Sequence, residues 1–152
     1  MSNGCAGNRT DIRGDNLKDS DYIGIPYKRL CDTHEQADCF GLVKLYYREH
    51  GWDTNFSDNK PVTYEQTQAS QMIRVVRYLR KNFDETRNPD ELEHGDIMLF
   101  MINGDGHLGI MLDYGDILSA QVPSIEGKAF STVYHRGWWT PFFKRGFKRR
   151  KV

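Results

Sequence analysis

Two residues in this sequence have the type and the setting for nucleophilic catalysis. Cys39 falls in the first turn of a helix, because Leu42, Val43, Tyr46 and Tyr47 line one face of a 3.6-residue period that begins after Asp38. Free backbone N–H groups and the helix dipole favour an anion at such a position, so the thiol is expected to ionise readily. His107 opens a strand directly after the turn cluster Asn103-Gly104-Asp105-Gly106. Along that strand His107, Gly109 and Met111 share a face, and small Gly109 leaves room beside the imidazole. A thiol that attacks a carbonyl and an imidazole that moves the proton suffice for acyl transfer, so no cofactor is expected. The three cysteines, Cys5, Cys31 and Cys39, form no C-x-x-C pair and no Cys/His metal spacing, so no metal site is expected either.

The elements that must position these residues follow from pattern. Asp38 is a good N-cap for the first helix, and Gly51 after His50 supplies its stop. Residues 53–61 read as a polar loop. A second helix is expected over 65–83, where Met72, Val75, Val76, Leu79 and Phe83 form an apolar stripe and Thr63 and Gln66 have capping-box spacing. Asn88-Pro89-Asp90 breaks the chain. Strands are then expected over 96–102, 107–113, 116–122 and 130–134, separated by turns. Helices first and meandering strands after make an α+β domain with an antiparallel sheet. Residues 1–21 read as an irregular arm, 22–143 as the domain and 144–152 as a solvated basic tail.

Composition narrows the function. Lys plus Arg and Asp plus Glu both number 21, and a formal charge of zero argues against a specific nucleic-acid binder. The longest apolar run, Ile97 to Ile102, is too short to span a bilayer, so no membrane partner is expected. The first fifteen residues contain no apolar core of a secretory signal, and Cys5 does not read as a lipid-attachment site. An odd cysteine count without such a signal predicts free thiols and synthesis in a reducing compartment.

Four blocks in order resemble the NlpC family of papain-like cysteine peptidases. Gly24-Ile25-Pro26-Tyr27 is similar to the family's entry segment, and Asp38-Cys39-Phe40-Gly41-Leu42-Val43 to its nucleophile motif. Gly95-Asp96-Ile97-Met98-Leu99-Phe100 resembles its Gly-Asp strand, and Gly106-His107-Leu108-Gly109-Ile110 its histidine strand. The resemblance implies a helix bearing Cys39 packed on the sheet, Cys39 as nucleophile and His107 as base. It implies that the Cys39 N–H and the Tyr27 hydroxyl serve the oxyanion, and that Asp38 holds a substrate amine as well as capping its helix. The family's third polar member falls at Ser119, with Gln121 as a substitute. An odd-length turn around Tyr114-Gly115 puts both on the face of His107, whereas a two-residue turn pairing Asp113 with Asp116 puts both opposite. The implied substrate is the peptidoglycan stem peptide, cut at a D-γ-glutamyl to diamino acid amide.

Phe40 stands where most members carry Ser, narrowing the pocket. With the helix Leu42 to Gly51, it resembles members found in the tail tips of tailed phages. That subgroup implies a virion protein made in the host cytoplasm, with other tail proteins as partners. Two further readings stand beside it: a structural tail-assembly protein with a weak or inactive site, and a cysteine amidase or acyltransferase on another substrate.

Overall fold

The structure, a computed structural model, describes Cys5, residues 17–52, Phe56, residues 68–120 and residues 130–150. Helix α1 (Cys39–Glu49) begins where the sequence places it. The Asp38 carboxylate accepts the Gly41 N–H at 2.7 Å, and Gly51 adopts φ +75° just beyond the end. Its apolar face, with Leu42, Val43, Leu45, Tyr46 and Tyr47 buried, packs on the sheet. At its far end the buried Glu49 accepts the Tyr22 hydroxyl at 2.8 Å and meets His34 Nε2 at 2.8 Å, tying the entry segment to the helix. Helix α2 (Gln68–Asn82) buries Val75 and Leu79 on the stripe expected of it, while the expected start and its capping pair, Thr63 and Gln66, lie outside the described residues.

The sheet has six antiparallel strands: β1 (Asp84–Thr86), β2 (Ile97–Ile102), β3 (Asp105–Met111), β4 (Ile117–Ser119), β5 (Thr132–Tyr134) and β6 (Phe143–Lys148). Their spatial order is β1-β6-β2-β3-β4-β5. Asn103 and Gly104, both at positive φ, join β2 to β3 in a two-residue turn, which sets Phe100 opposite His107. Between β3 and β4 the connection is odd: Leu112 N–H donates to the Asp116 carbonyl and Met111 pairs with Ile117. Strand alternation from that register carries Ser119 to the face of His107.

The alternation also gives the sheet two cores. Ile97, Leu99, Leu108, Ile110 and Leu118 face α1 and α2. Met98, Phe100, Ile102, Met111, Ile117 and Tyr134 face the other way and are closed by Trp139 from the short helix α3 (Arg136–Trp139).

Two expectations are corrected. Residues 144–148 are not a solvated tail, because β6 pairs with β2 on one side and β1 on the other, burying Gly146 and Phe147. High charge conceals the strand: Arg145 meets Glu85 at 2.8 Å and Arg150 meets Asp84 at 3.0 Å, so the cations lie at the sheet edge beside acids. Nor are the thiols all free. Cys5 and Cys31 form a disulfide, leaving Cys39 as the free cysteine. The bridged pair overturns the expectation that Cys5 and Cys31 are free.

Candidate active site

The site is built at the start of α1, where the chain from 30 to 41 folds onto itself. One Asp38 oxygen caps Gly41 and the other accepts Leu30 N–H at 2.7 Å, while Asp38 N–H donates to the Cys31 carbonyl at 3.2 Å. Gly41 is required here: a Cβ would run into that same Cys31 carbonyl oxygen. The disulfide-bonded Cys31 therefore lies directly on the first helical turn and fixes the direction in which Cys39 points.

Three backbone amides converge on the Cys39 sulfur: its own, that of Phe40 and that of Leu108. The first two are helix-terminal N–H groups left free by the Asp38 cap. The third belongs to the peptide unit that joins His107 to Leu108 in β3, which brings nucleophile and histidine strand together. Tyr27, Asp38 and Phe40 line the same small pocket, together with Gln71, Met72 and Val75 of α2. The pocket holds about 20 Å³, room for a single water. Phe40 is held edge-on to Phe56 at 5.7 Å and makes one wall.

The electrostatics differ from the simple helix-terminus expectation. Burial, followed by the Asp38 charge, pushes the Cys39 thiol up to about 12, and the three amides only partly offset this. At neutral pH the resting sulfur is a thiol. Burial also pushes the His107 imidazole down, against a smaller opposing pull from Asp105. The resting site thus holds a thiol and a neutral imidazole. Tyr27 is held well above its ordinary value, by burial first and then by Cys39 and Asp38, so its hydroxyl keeps its proton. Asp38 is raised by burial, with the Leu30 and Gly41 amides opposing.

His107 is 7% exposed and stacks on Phe100, ring centroids 5.4 Å apart. Among the described residues its ring has no hydrogen-bond partner, and it makes no direct bond to Cys39. Ser119, fully buried, donates its hydroxyl to the Leu108 carbonyl at 2.7 Å instead of reaching the imidazole. It therefore anchors the residue whose N–H holds the sulfur. Gln121 lies outside the described residues. Sequence reasoning missed the Leu108 amide and the Met72 and Gln71 walls; the only available signal was that Gln71, Met72 and Val75 share a helix face. No cluster of three or more His, Cys, Asp or Glu suited to a metal occurs among the described residues.

The model of the NlpC/P60 family matches residues 24–146, a stretch that takes in α1, α2 and strands β1 to β5. This chain belongs to the NlpC/P60 family. Its fold is the α+β, papain-like fold of that family. Among solved structures, the NlpC/p60 domain of the peptidoglycan hydrolase SagA superposes with a TM-score of 0.55 at 18% identity, over 85% of this chain and 91% of that one. NlpC2 from Trichomonas vaginalis does so with a TM-score of 0.56 at 15% identity, over 86% of this chain and 42% of that one. An NLP/P60-family protein similar to a lipoprotein, from Staphylococcus aureus, matches at 14% identity over 96% of this chain and 46% of its own, TM-score 0.52. Identities this low speak to fold alone. No curated protein matches the chain. NlpC/P60 domains are cysteine peptidases and amidases that act on peptidoglycan.

Proposed function

We propose that the protein is a tail-associated peptidoglycan endopeptidase of a tailed phage, hydrolysing the D-γ-glutamyl to diamino acid amide of the stem peptide. The observation that carries the chemistry is the seat of the Cys39 sulfur, where the backbone N–H groups of Leu108, Phe40 and Cys39 itself favour its charged form. In this mechanism His107 takes the thiol proton as sulfur attacks the amide carbon. The oxyanion draws on the helix-terminal N–H groups and the Tyr27 hydroxyl. The imidazolium returns the proton to the leaving amine, the carbon–nitrogen bond breaks, and a thioester remains on Cys39. Water, deprotonated by the same imidazole, releases the acid and restores the thiol. Asp38, acidic and beside the sulfur, is the candidate for holding the free amine of the substrate.

The tail assignment rests on Phe40 and on the Leu42 to Gly51 helix, and the Cys5–Cys31 bridge suits a protein that works outside a reducing cytoplasm. Digestion of purified cell wall, with mass spectrometry of the released stem peptides, tests the reading. The expected result is a new γ-glutamyl carboxylate with wild-type protein and none with Cys39→Ala or His107→Ala. Full activity in His107→Ala would overturn the dyad, and immunogold labelling of virions tests the location. The closed pocket and the engagement of Ser119 favour the second reading, a tail-assembly protein with a weak site; an intact wall after digestion would select it.

A further inference from the structure

Helix α2 and the β2–β3 hairpin enclose a groove of about 450 Å³, and none of the roles assigned above uses it. Strand alternation places it on the face of the sheet turned away from the His107 ring. Its volume is that of a small-molecule site. Met72, Ile73 and Val76 of α2 face Leu99 and Met101 of β2 across it. Ile73 is 59% exposed, an apolar side chain left bare to solvent. The only polar side chains among the lining residues are the guanidiniums of Arg77 and Arg80, the last two residues of the helical wall.

Positive charge at that end is under-compensated. Exposed Arg77 has no partner among the described residues, and Arg80 meets Glu85 only through Nε, at 3.4 Å. That carboxylate is shared with Arg145, which is closer at 2.8 Å. The acid of the hairpin, Asp105, points by strand alternation to the other face of the sheet. A peptide laid in this slot would bring backbone N–H and C=O groups to walls whose side chains offer them nothing, which is costly. A hydrocarbon chain brings no such groups and gains with every methylene it hides. The guanidinium pair then calls for one carboxylate at the end of that chain.

We propose that the groove binds an unbranched medium-chain fatty acid from solution, its carboxylate on Arg77 and Arg80, and that the bound chain holds Met72 over Cys39. The helical wall from Met72 to Arg80 is about 12 Å long at 1.5 Å per residue, roughly the reach of an eight- to ten-carbon chain. Met72 is the link to the nucleophile, because it lines both this groove and the Cys39 pocket. Its Cγ lies 3.1 Å from where a Cβ on Gly106 would stand, so the glycine lets it lie against β3 as the partition between the two. A chain packed on the groove side fills the space into which this flexible side chain would otherwise swing. The cover over the sulfur then stays shut. None of this depends on cleavage of a wall, so the site stands apart from the peptidase reading.

The test is methionine-methyl NMR of the whole chain, titrated with octanoate, decanoate and octanol below the concentrations at which they self-associate. Met98 and Met111, buried on the opposite face, serve as controls for intact fold. Octanoate should shift the Met72 and Met101 methyls without moving the controls. Decanoate, with two more methylenes to bury, should bind about tenfold more tightly than octanoate. Octanol should bind about tenfold more weakly than octanoate, and so should octanoate itself to Arg77→Ala/Arg80→Ala. Iodoacetamide labelling of Cys39 should slow with the same decanoate dependence as the Met72 shift. Equal binding of octanoate and octanol, an unaffected double variant, no gain with decanoate, or shifts that reach Met98 and Met111 would each overturn the site. Labelling that does not slow at saturation would overturn the hold on Met72. Tighter binding at the same methyls by phosphatidylglycerol vesicles, or by an acidic leucine-rich peptide, would give the groove to that occupant and overturn the fatty acid.

Discussion

The proton on Cys39 decides when this site can react. The folded chain holds it more tightly than an unfolded chain does, with the thiol raised from 9.0 to about 12 by burial and by Asp38. The sign follows: whatever the neutral thiol contributes to stability is fully present below about pH 9 and is lost as pH rises through 12. Iodoacetamide labelling of the resting protein should therefore be slow at neutral pH and climb into strongly alkaline solution; an inflection at 8 or 9 would contradict the burial account. Asp38→Asn isolates the second cause. It keeps an acceptor for Gly41 but removes the charge and leaves the Leu30 N–H without its acceptor, so labelling should speed up at constant pH while stability falls by about 1–3 kcal/mol. Ser119→Ala should now cost stability, roughly 1–3 kcal/mol by denaturant titration, because it strips the buried Leu108 carbonyl of its donor. A change confined to kcat would return Ser119 to the role of imidazole partner. The places of Cys39 and Asp38 at the start of α1 and of His107 in β3 were legible because cap and turn lie within a few neighbouring residues. The direction of the thiol shift was not, since the walls that bury Cys39 come from Met72 and Val75, more than thirty positions away.

Helix α2 is both core and cover. Leu79 and Val75 bury themselves, and the turn carrying Gln71 and Met72 closes over the sulfur. Met72→Ala should admit solvent to Cys39, moving the labelling inflection down toward the ordinary thiol range and leaving the fold intact. An unchanged profile would mean that Phe40, not α2, is the cover. The stripe on α2 was readable from its period, but a stripe does not say which of its turns faces a core and which a site. The β3–β4 connection shows the same limit at one-residue resolution. Its parity decides the face of Ser119, and Tyr114 at φ +62° takes a left-handed conformation that bulky residues rarely adopt, so the three-residue turn had no local signal. The strand β6 was hidden by its lysines and arginines, whose acidic neighbours on β1 are sixty positions earlier in the chain.

At the scale of the molecule, the bridge from Cys5 to Cys31 closes a loop with a sequence separation of 26 and rests on the turn that aims Cys39. Cys5→Ser should lower stability by roughly 3 kcal/mol through the unfolded chain. It should also loosen the active turn, seen as faster labelling of Cys39 in the mutant than in the bridged protein. Neither pairing nor position was legible, because the two cysteines share no local motif. The place of β6 has a different kind of consequence. It lies between β1 and β2 in space, yet it follows β5 in sequence. During synthesis, Ile97 to Ile102, six apolar residues in a row, emerge with one edge lacking its final partner and must wait for some forty more residues to be made. A nascent chain in that interval presents an open, oily strand edge, the kind of template on which chains stick to one another. Ribosomes stalled before residue 143 should yield insoluble product, and the sheet should close only once β6 has been made.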